Sequence, residues 1–330
     1  MERRRAISFT PSHTDLRILV DAAILAEELG YEVVIVPEGW CLDSTLVLGT
    51  MAAVTKRIRL AAGILSVWGR TPATLAMTAA TLQEISEGRF ILGLGASTAA
   101  LAEGFHDVAF EQPVSKLREV TTTVRALLEG GRAPQSVKTG QRALRLGVRP
   151  PSPVPIWHGT VGPRARQVTA ETADAWFPAW LSYRGAPRMI AELAEIRATR
   201  NPGAGPLVTV GGPIVEVNDD LDTARASTGA TIAWYMCSMG DLHPRFIASQ
   251  GYEEEVRRVQ AANPRLTPAT GVIPAEAQVL IDDFTVAGPA EIVQQQLEAW
   301  DAAFDIVTIG MPPPGSPWEA FETTIRACSP

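Results

Sequence analysis

Short apolar runs alternate with helix-period patterns from one end of the chain to the other. Ala6–Thr10 reads as a strand, and the amphipathic stretch from about Asp15 to Leu29 as a helix that stops at Gly30. Val33–Pro37 predicts a second strand, "STLVLGTMAAVT" a helix and "RIRLAAGIL" a third strand. Pro72 opens the helix "PATLAMTAATLQEIS", and Phe90–Gly95 is the fourth strand. Ser115–Leu128 is a helix that ends before Gly130-Gly131. A polar stretch leads to "VPIWHG" as strand five, "PRARQVTAETA" as a helix and "AWFPAW" as a short strand six. A helix over Pro187–Thr199, strand seven at "LVTVGGPIVEV" and a mainly helical excursion over 219–287 follow. The chain closes with the helix "PAEIVQQQLEAW", strand eight "DIVTIG" and the helix "PWEAFETTIRAC".

Eight strand–helix alternations without hairpin punctuation point to α/β class and parallel βαβ units. Eight is also the number that closes a barrel, so a (β/α)8 TIM barrel is expected rather than an open doubly wound sheet. No low-complexity linker or internal repeat divides the sequence. The expectation is therefore one domain over 1–330, with a helical insertion before the last βα unit.

Hydrophobic residues make up 46% of the 330 and charged residues 20%, ordinary for a globular protein with a large core. A net charge of −7 argues against nucleic acid or an anionic membrane as partner. "LRILVDAAILAEELG" is interrupted by Arg17, Asp21, Glu27 and Glu28, so it reads as amphipathic and not as a membrane span. Three scattered cysteines, Cys41, Cys237 and Cys328, suit free thiols in a reducing cytoplasm. No His-x-x-x-His or Cys-x-x-Cys cluster points to a metal, no Gly-x-Ser-x-Gly to a hydrolase, and no Walker loop to a nucleotidase.

The glycine stretches carry the candidate chemistry. "GLGAST" has Thr98 where a dinucleotide fingerprint needs its third glycine, and it lies at strand four instead of in a first βαβ unit. Gly93 and Gly95 could equally let a strand end pack closely on a neighbour. "HGTVGPRA" puts Gly159, Thr160 and Gly162 before a helix that carries Arg164 and Arg166. Free N–H groups at a helix start suit a phosphate, and an ordinary βα turn reads the same way. Glu38 ends strand two, where a barrel's active site lies; it could donate a proton, bond a cofactor ring or cap the next helix. Beside it Trp40 could stack on a flat ring or cover the mouth. His13 and His106 follow strands one and four, and a lone histidine there is as compatible with structure as with chemistry.

The segment "TKRIRLAAGILSVWGRTPATLAMTAATLQEISEGRFILGLGAS", residues 55–97, resembles the hallmark of the bacterial luciferase-like oxidoreductases. It is most similar to their coenzyme F420 branch, that of methylenetetrahydromethanopterin reductase-like enzymes. "LGYEVVIVPEGW", "AEGFHDVAF", "VPIWHGTVGPRA", "TADAWFP", "GYEEEVRRVQ" and "VAGPAEIVQQQLEAW" extend the resemblance, which weakens over 200–230. The resemblance implies a barrel, a non-prolyl cis peptide at Gly63–Ile64 against the cofactor ring, and a phosphate held by Gly159, Thr160, Val161 and Gly162, with Arg164 alongside. It also implies that Gly93 and Gly95, with Ser97, make room for a deazaflavin or flavin, and that the chain forms a homodimer.

Departures bear on the chemistry. Some sugar-phosphate dehydrogenases of the family carry Asp-His after strand two, where this chain has Glu38-Gly39, and a glutamate where it has Thr98. Glu38, Glu103 or His106 would have to supply any proton, and glucose-6-phosphate chemistry is not expected. The leading expectation is F420-dependent hydride transfer to or from a C=C, C=N or C=O of a small organic substrate. The alternatives are an FMN-dependent monooxygenase fed by a separate reductase and a non-catalytic member of the family. His13, Trp40, Trp68 and Phe105 are the candidate substrate-facing side chains; the aromatics Trp40, Trp68, Phe105, Trp180 and Trp234 suggest a fairly apolar substrate, and burial in the core or an oligomer interface would explain some of them equally well.

Overall fold

The computed structural model describes residues 3–134, 140–264, 266 and 270–330. In chain order its strands are β1 (Arg5–Ser8), β2 (Val33–Val36), β3 (Arg59–Ala62), β4 (Leu65–Ser66), β5 (Phe90–Gly95), β6 (Ile156–His158), β7 (Ala175–Trp176), β8 (Val208–Gly211), β9 (Ile214–Val217), β10 (Thr285–Gly288) and β11 (Ile306–Gly310). All pairings are parallel, in the order β3-β2-β1-β11-β8-β7-β6-β5-β4, and β3 also pairs with β5. That last pairing closes the sheet. With β3 and β4 as two halves of one barrel strand, the count is eight, as the alternation predicts. Side chains including Ala6, Val33, Ile35, Ala61, Ile91, Trp157, Val210 and Ile306 fill the interior, so the barrel is a packed core and not a pore.

Two strands depart from the sequence reading. "LVTVGGPIVEV" is not one strand: β8 ends at Gly211, and β9 leaves the barrel to pair with β10, from within the excursion. Gly212 passes so close to β11 that a Cβ there would strike the Thr308 carbonyl, and Pro213 has no N–H with which to continue a ladder. The rest of the excursion is helical as expected, with helices Leu221–Ser238, Leu242–Ile247, Glu253–Ala262 and Val279–Phe284; residues 265 and 267–269 lie outside the described set. No helix among the described residues is long and apolar enough to cross a membrane.

Within residues 55–97, "QEISEGRF" secures the end of the barrel opposite the site. Gln83 accepts the Phe90 amide at 2.9 Å and donates to Ser152 Oγ at 3.0 Å and the Pro153 carbonyl at 3.1 Å. Arg89 donates to the carbonyls of Ser86 (2.8 Å), Ile58 (2.8 Å) and Thr55 (2.9 Å), tying three successive units together. Arg5, fully buried, does the same where first and last strands meet. It pairs with Asp301 at 2.6 Å and donates to the carbonyls of Cys328 and Ser329, each at 3.0 Å. Arg5→Met removes the cation and leaves Asp301 and both carbonyls without it. The expected loss is about 3–5 kcal/mol in a urea melt, and a change under 1 kcal/mol would contradict the closure role.

Candidate active site

The third barrel strand is interrupted at the site. Ala61 is opposite Ile91 and Leu65 is opposite Leu94, so Ala62, Gly63 and Ile64 face only Leu92 and Gly93. This is a β-bulge of one extra residue. Its Gly63–Ile64 peptide bond is cis, as the resemblance implies, and both residues are half-buried. Gly63 turns inward, where a Cβ would strike Ile35 and lie 3.3 Å from Phe177 Cε1.

The Ile64 side chain lies across three glycines. A Cβ on Gly95 would be 2.7 Å from Ile64 Cδ1, one on Gly159 3.0 Å from Cγ2, and one on Gly93 3.2 Å from Cγ2 and in collision with the Ala62 carbonyl. This corrects the reading of Gly93 and Gly95. The space they leave is taken by the bulge's own Ile64 side chain.

Glu38 follows β2 at the same rim and locks the bulge. Its amide donates to the Ile64 carbonyl at 3.2 Å, and one carboxylate oxygen accepts the Ser66 amide at 2.9 Å. The other oxygen is paired with Arg70, which also reaches Asp43 at 3.0 Å. Each oxygen of Glu38 thus has a partner, an arrangement suited to positioning the bulge and not to delivering a proton. Arg70 escaped the sequence reading. Its signal is modest: an arginine two residues before the helix-opening Pro72, in the loop that follows the bulge.

The other candidates separate. Trp68 clasps the end of β5, its indole N–H donating to the Ala96 carbonyl at 2.7 Å, and its ring packs on Phe110. His106 lies against Gly69, where a Cβ would be 2.9 Å from its Cε1, and Phe105 meets it edge-on. Trp40 and Phe105 are more than half exposed at this rim. Ser97 takes a left-handed conformation, with φ 59°, just after β5. Glu103 is exposed and accepts the Phe110 amide at 3.1 Å, so it braces its own loop instead of presenting a free acid. His13 is also corrected: it is buried, its Nε2 lies 2.7 Å from the Pro312 carbonyl and its Nδ1 2.9 Å from the Thr10 amide. With Phe9 and Phe321 edge-on to its ring, it ties β1 to the chain after β11 and leaves no ring nitrogen for substrate.

The turn after β6 offers backbone. The Thr160 hydroxyl is 2.7 Å from Thr169 Oγ1, the Thr160 carbonyl accepts from Trp176 at 2.7 Å, and the Val161 side chain is buried. Gly162 caps the helix Pro163–Thr172 without any side-chain capping bond, and a Cβ there would meet open space. The amides of Arg164 and Ala165 head the helix, where no intrahelical carbonyl is within reach. Arg164 is exposed beside them, and Arg166 Nε is buried with no hydrogen-bond partner among the described residues, while its Nη1 reaches Glu192 at 3.4 Å. An anion is favoured at such a terminus. Beneath the turn His158 is fully buried between Thr121 Oγ1 (2.9 Å) and Thr169 Oγ1 (3.3 Å), and burial, with Arg125 nearby, pulls its pKa down to about 3.

Two expectations follow. Gly95→Ala drives a methyl into Ile64 and costs about 1–3 kcal/mol, and Ile64→Ala in the same chain restores part of it; purely additive losses would contradict the nesting. His158 stays neutral in the fold while the unfolded chain takes up its proton below pH 6.5. Its contribution is therefore full above 6.5 and falls as pH drops toward 3. Between pH 6.5 and 5 the wild type should lose about 2 kcal/mol more than His158→Asn, and parallel pH–stability curves would exclude the effect.

Comparison with known proteins agrees with this geometry. The family model for luciferase-like monooxygenases matches residues 4–305. A Mycobacterium tuberculosis protein, Rv3520c, named provisionally as a coenzyme F420-dependent oxidoreductase, is 30% identical over 302 residues, covering 84% of this chain and 86% of that protein. The 5,10-methylenetetrahydromethanopterin reductase of Archaeoglobus fulgidus is 26% identical, covering 87% of each. The coenzyme F420-dependent tetrahydromethanopterin reductase of Methanopyrus kandleri superposes with a TM-score of 0.79 at 20% identity, over 100% of this chain and 98% of that one. A closed parallel barrel, a bulged third strand and a match over most of its length place this chain in the luciferase-like monooxygenase family.

Proposed function

We propose that the chain is an F420-dependent oxidoreductase that moves hydride between the deazaflavin C5 and a C=C, C=N or C=O of a small organic substrate. One observation carries the reading: Ile64 of the bulge is seated on Gly159, the first residue of the turn that opens the helix at Gly162. A half-exposed platform and an open helix N-terminus therefore share one rim, as a cofactor with a flat ring and a phosphate requires. Gly162 and the amides of Arg164 and Ala165 would hold the phosphate, Arg164 would add its charge, and Gly63–Ile64 would support the ring. When bound, the deazaflavin supplies a two-electron hydride donor or acceptor. The protein's task is to hold that carbon against the substrate and exclude water. FMN also has a flat ring and a phosphate, and the family name favours this second reading.

Titration of the purified chain with F420 should give saturable binding and a change in F420 fluorescence. Saturable FMN binding without F420 binding, with oxygen consumed when reduced FMN is supplied, would overturn the proposal. Gly162→Asp provides the structural control. Its φ of −71° suits any residue and its Cβ meets open space, so the helix gains a cap while a carboxylate takes the phosphate position. F420 affinity is expected to fall at least about tenfold with no loss of stability.

We also propose a homodimer. The helix Ser44–Val54 contains no charged residue and the helix Pro72–Ile85 none before Glu84, yet Leu46 and Met77 stand 72% and 60% exposed. A helix without a polar face is ordinarily covered. Sedimentation should show a dimer that Leu46→Glu dissociates, and a monomeric wild type would remove this proposal.

A further inference from the structure

β5 ends at Gly95 against Ile64 of the bulge, and the next long helix does not begin until Pro113. Between them the chain forms a small unit around one helical turn, Ala99–Ala102. Among the described residues, every hydrogen bond that 98–111 makes stays within the segment. Thr98 Oγ1 accepts the Leu101 amide at 3.4 Å, the Ala102 carbonyl accepts the Val108 amide at 2.9 Å, and Glu103 accepts the Phe110 amide at 3.1 Å. The unit can therefore leave the barrel as one piece without breaking a hydrogen bond to it, which makes it a low-cost element to move.

Side-chain contact alone docks it, and the docking face is continuous with the bulge. His106 lies against Gly69, and the Phe110 ring is 5.5 Å from that of Trp68. Trp68 donates its amide to Ser66 Oγ at 3.2 Å, and the Ser66 amide donates to Glu38. Ala102 is the only buried residue of the segment, whereas Phe105 is 56% exposed. Left-handed residues that are not glycine stand at both ends, Ser97 with φ 59° and Gln112 with φ 48°. Each adjoins a fixed point: the Ala96 carbonyl accepts from the Trp68 indole, and the Gln112 carbonyl accepts the Lys116 amide at 3.0 Å. Such conformations concentrate at ligand clamps and switch regions, and lids turn on a few residues at the ends of elements.

We propose that 98–111 is a lid, hinged at Ser97 and Gln112, that closes over a flat ring seated on the bulge, with Phe105 as the side chain that covers the ring. Closure removes an exposed aromatic face from water and keeps water from the reacting carbon. The proposal rests on the deazaflavin reading only for which tricyclic ring is covered.

The test is hydrogen exchange of the full chain followed by mass spectrometry, free and with F420 or FMN. In the free chain the amides of 98–111 should exchange faster than those of the flanking Phe90–Gly95 and Pro113–Leu128; exchange as slow as in these flanks overturns the hinged unit. F420 at about ten times its dissociation constant should slow 98–111 about tenfold, while the amides of Arg164 and Ala165 report binding itself. Phe105→Ala should release the bound ring about tenfold faster in stopped-flow fluorescence, with an unchanged melting temperature, and Phe105→Leu should fall between it and the wild type. An unchanged release rate in Phe105→Ala removes the covering role. Slowing at Arg164 and Ala165 with 98–111 unmoved sinks the lid and keeps the deazaflavin reading. Slowing of 98–111 by FMN alone keeps the lid and sinks the deazaflavin reading, and no response of 98–111 to either ring overturns the lid.

Discussion

The seat of Ile64 on Gly93, Gly95 and Gly159 is the contact on which the rest of the site depends. The third barrel strand cannot run straight with that side chain in place. The extra residue forces Gly63 toward the barrel axis, against Ile35 and Phe177, and the strand then resumes at Leu65. That resumption brings the Ser66 amide to Glu38 and leaves the Ile64 carbonyl to accept the Glu38 amide. Strands β2 to β7 are thereby coupled through one isoleucine. A Cβ on any of the three glycines would displace it by tenths of an ångström or more, because interiors at native density have little slack.

Charge at the rim is arranged around this seat. Glu38 and Arg70 neutralise each other, with Asp43 as a second partner for the guanidinium. The turn after β6 has backbone donors and Arg164 on its outer side, while beneath it His158 is kept neutral by burial. The site therefore offers an anion a preformed set of dipoles, with the largely buried Arg166 on the same first turn. The cost of leaving such donors unmade until a ligand arrives is small where the helix terminus is open to water.

Most of the fold was legible because parallel barrel strands are short apolar runs at regular spacing, bounded by helix-period segments. β9 was not, since "GGPIVEV" continues the apolar alternation of β8. The departure is enforced by the close approach of Gly212 to Thr308, a tertiary contact. β10 is four residues inside a helical stretch and gave no separate signal. Local signals did locate the helix start after Gly159–Gly162, where proline and glycine mark it, and the place of Glu38 just after the second strand. They failed where a side chain's partner lies far along the chain. His13 is consumed by the Pro312 carbonyl and Glu38 by Arg70. Gly93 and Gly95 were found for the right reason, close approach, with the wrong occupant.

A crystal structure of the chain grown with F420 tests the central claim most directly. The account predicts the deazaflavin ring against the Gly63–Ile64 bulge and the phosphate within hydrogen-bond distance of the amides at Gly162, Arg164 or Ala165. A ring lying away from the bulge, or a phosphate bound elsewhere while the helix N-terminus at Pro163 stays open, would contradict it.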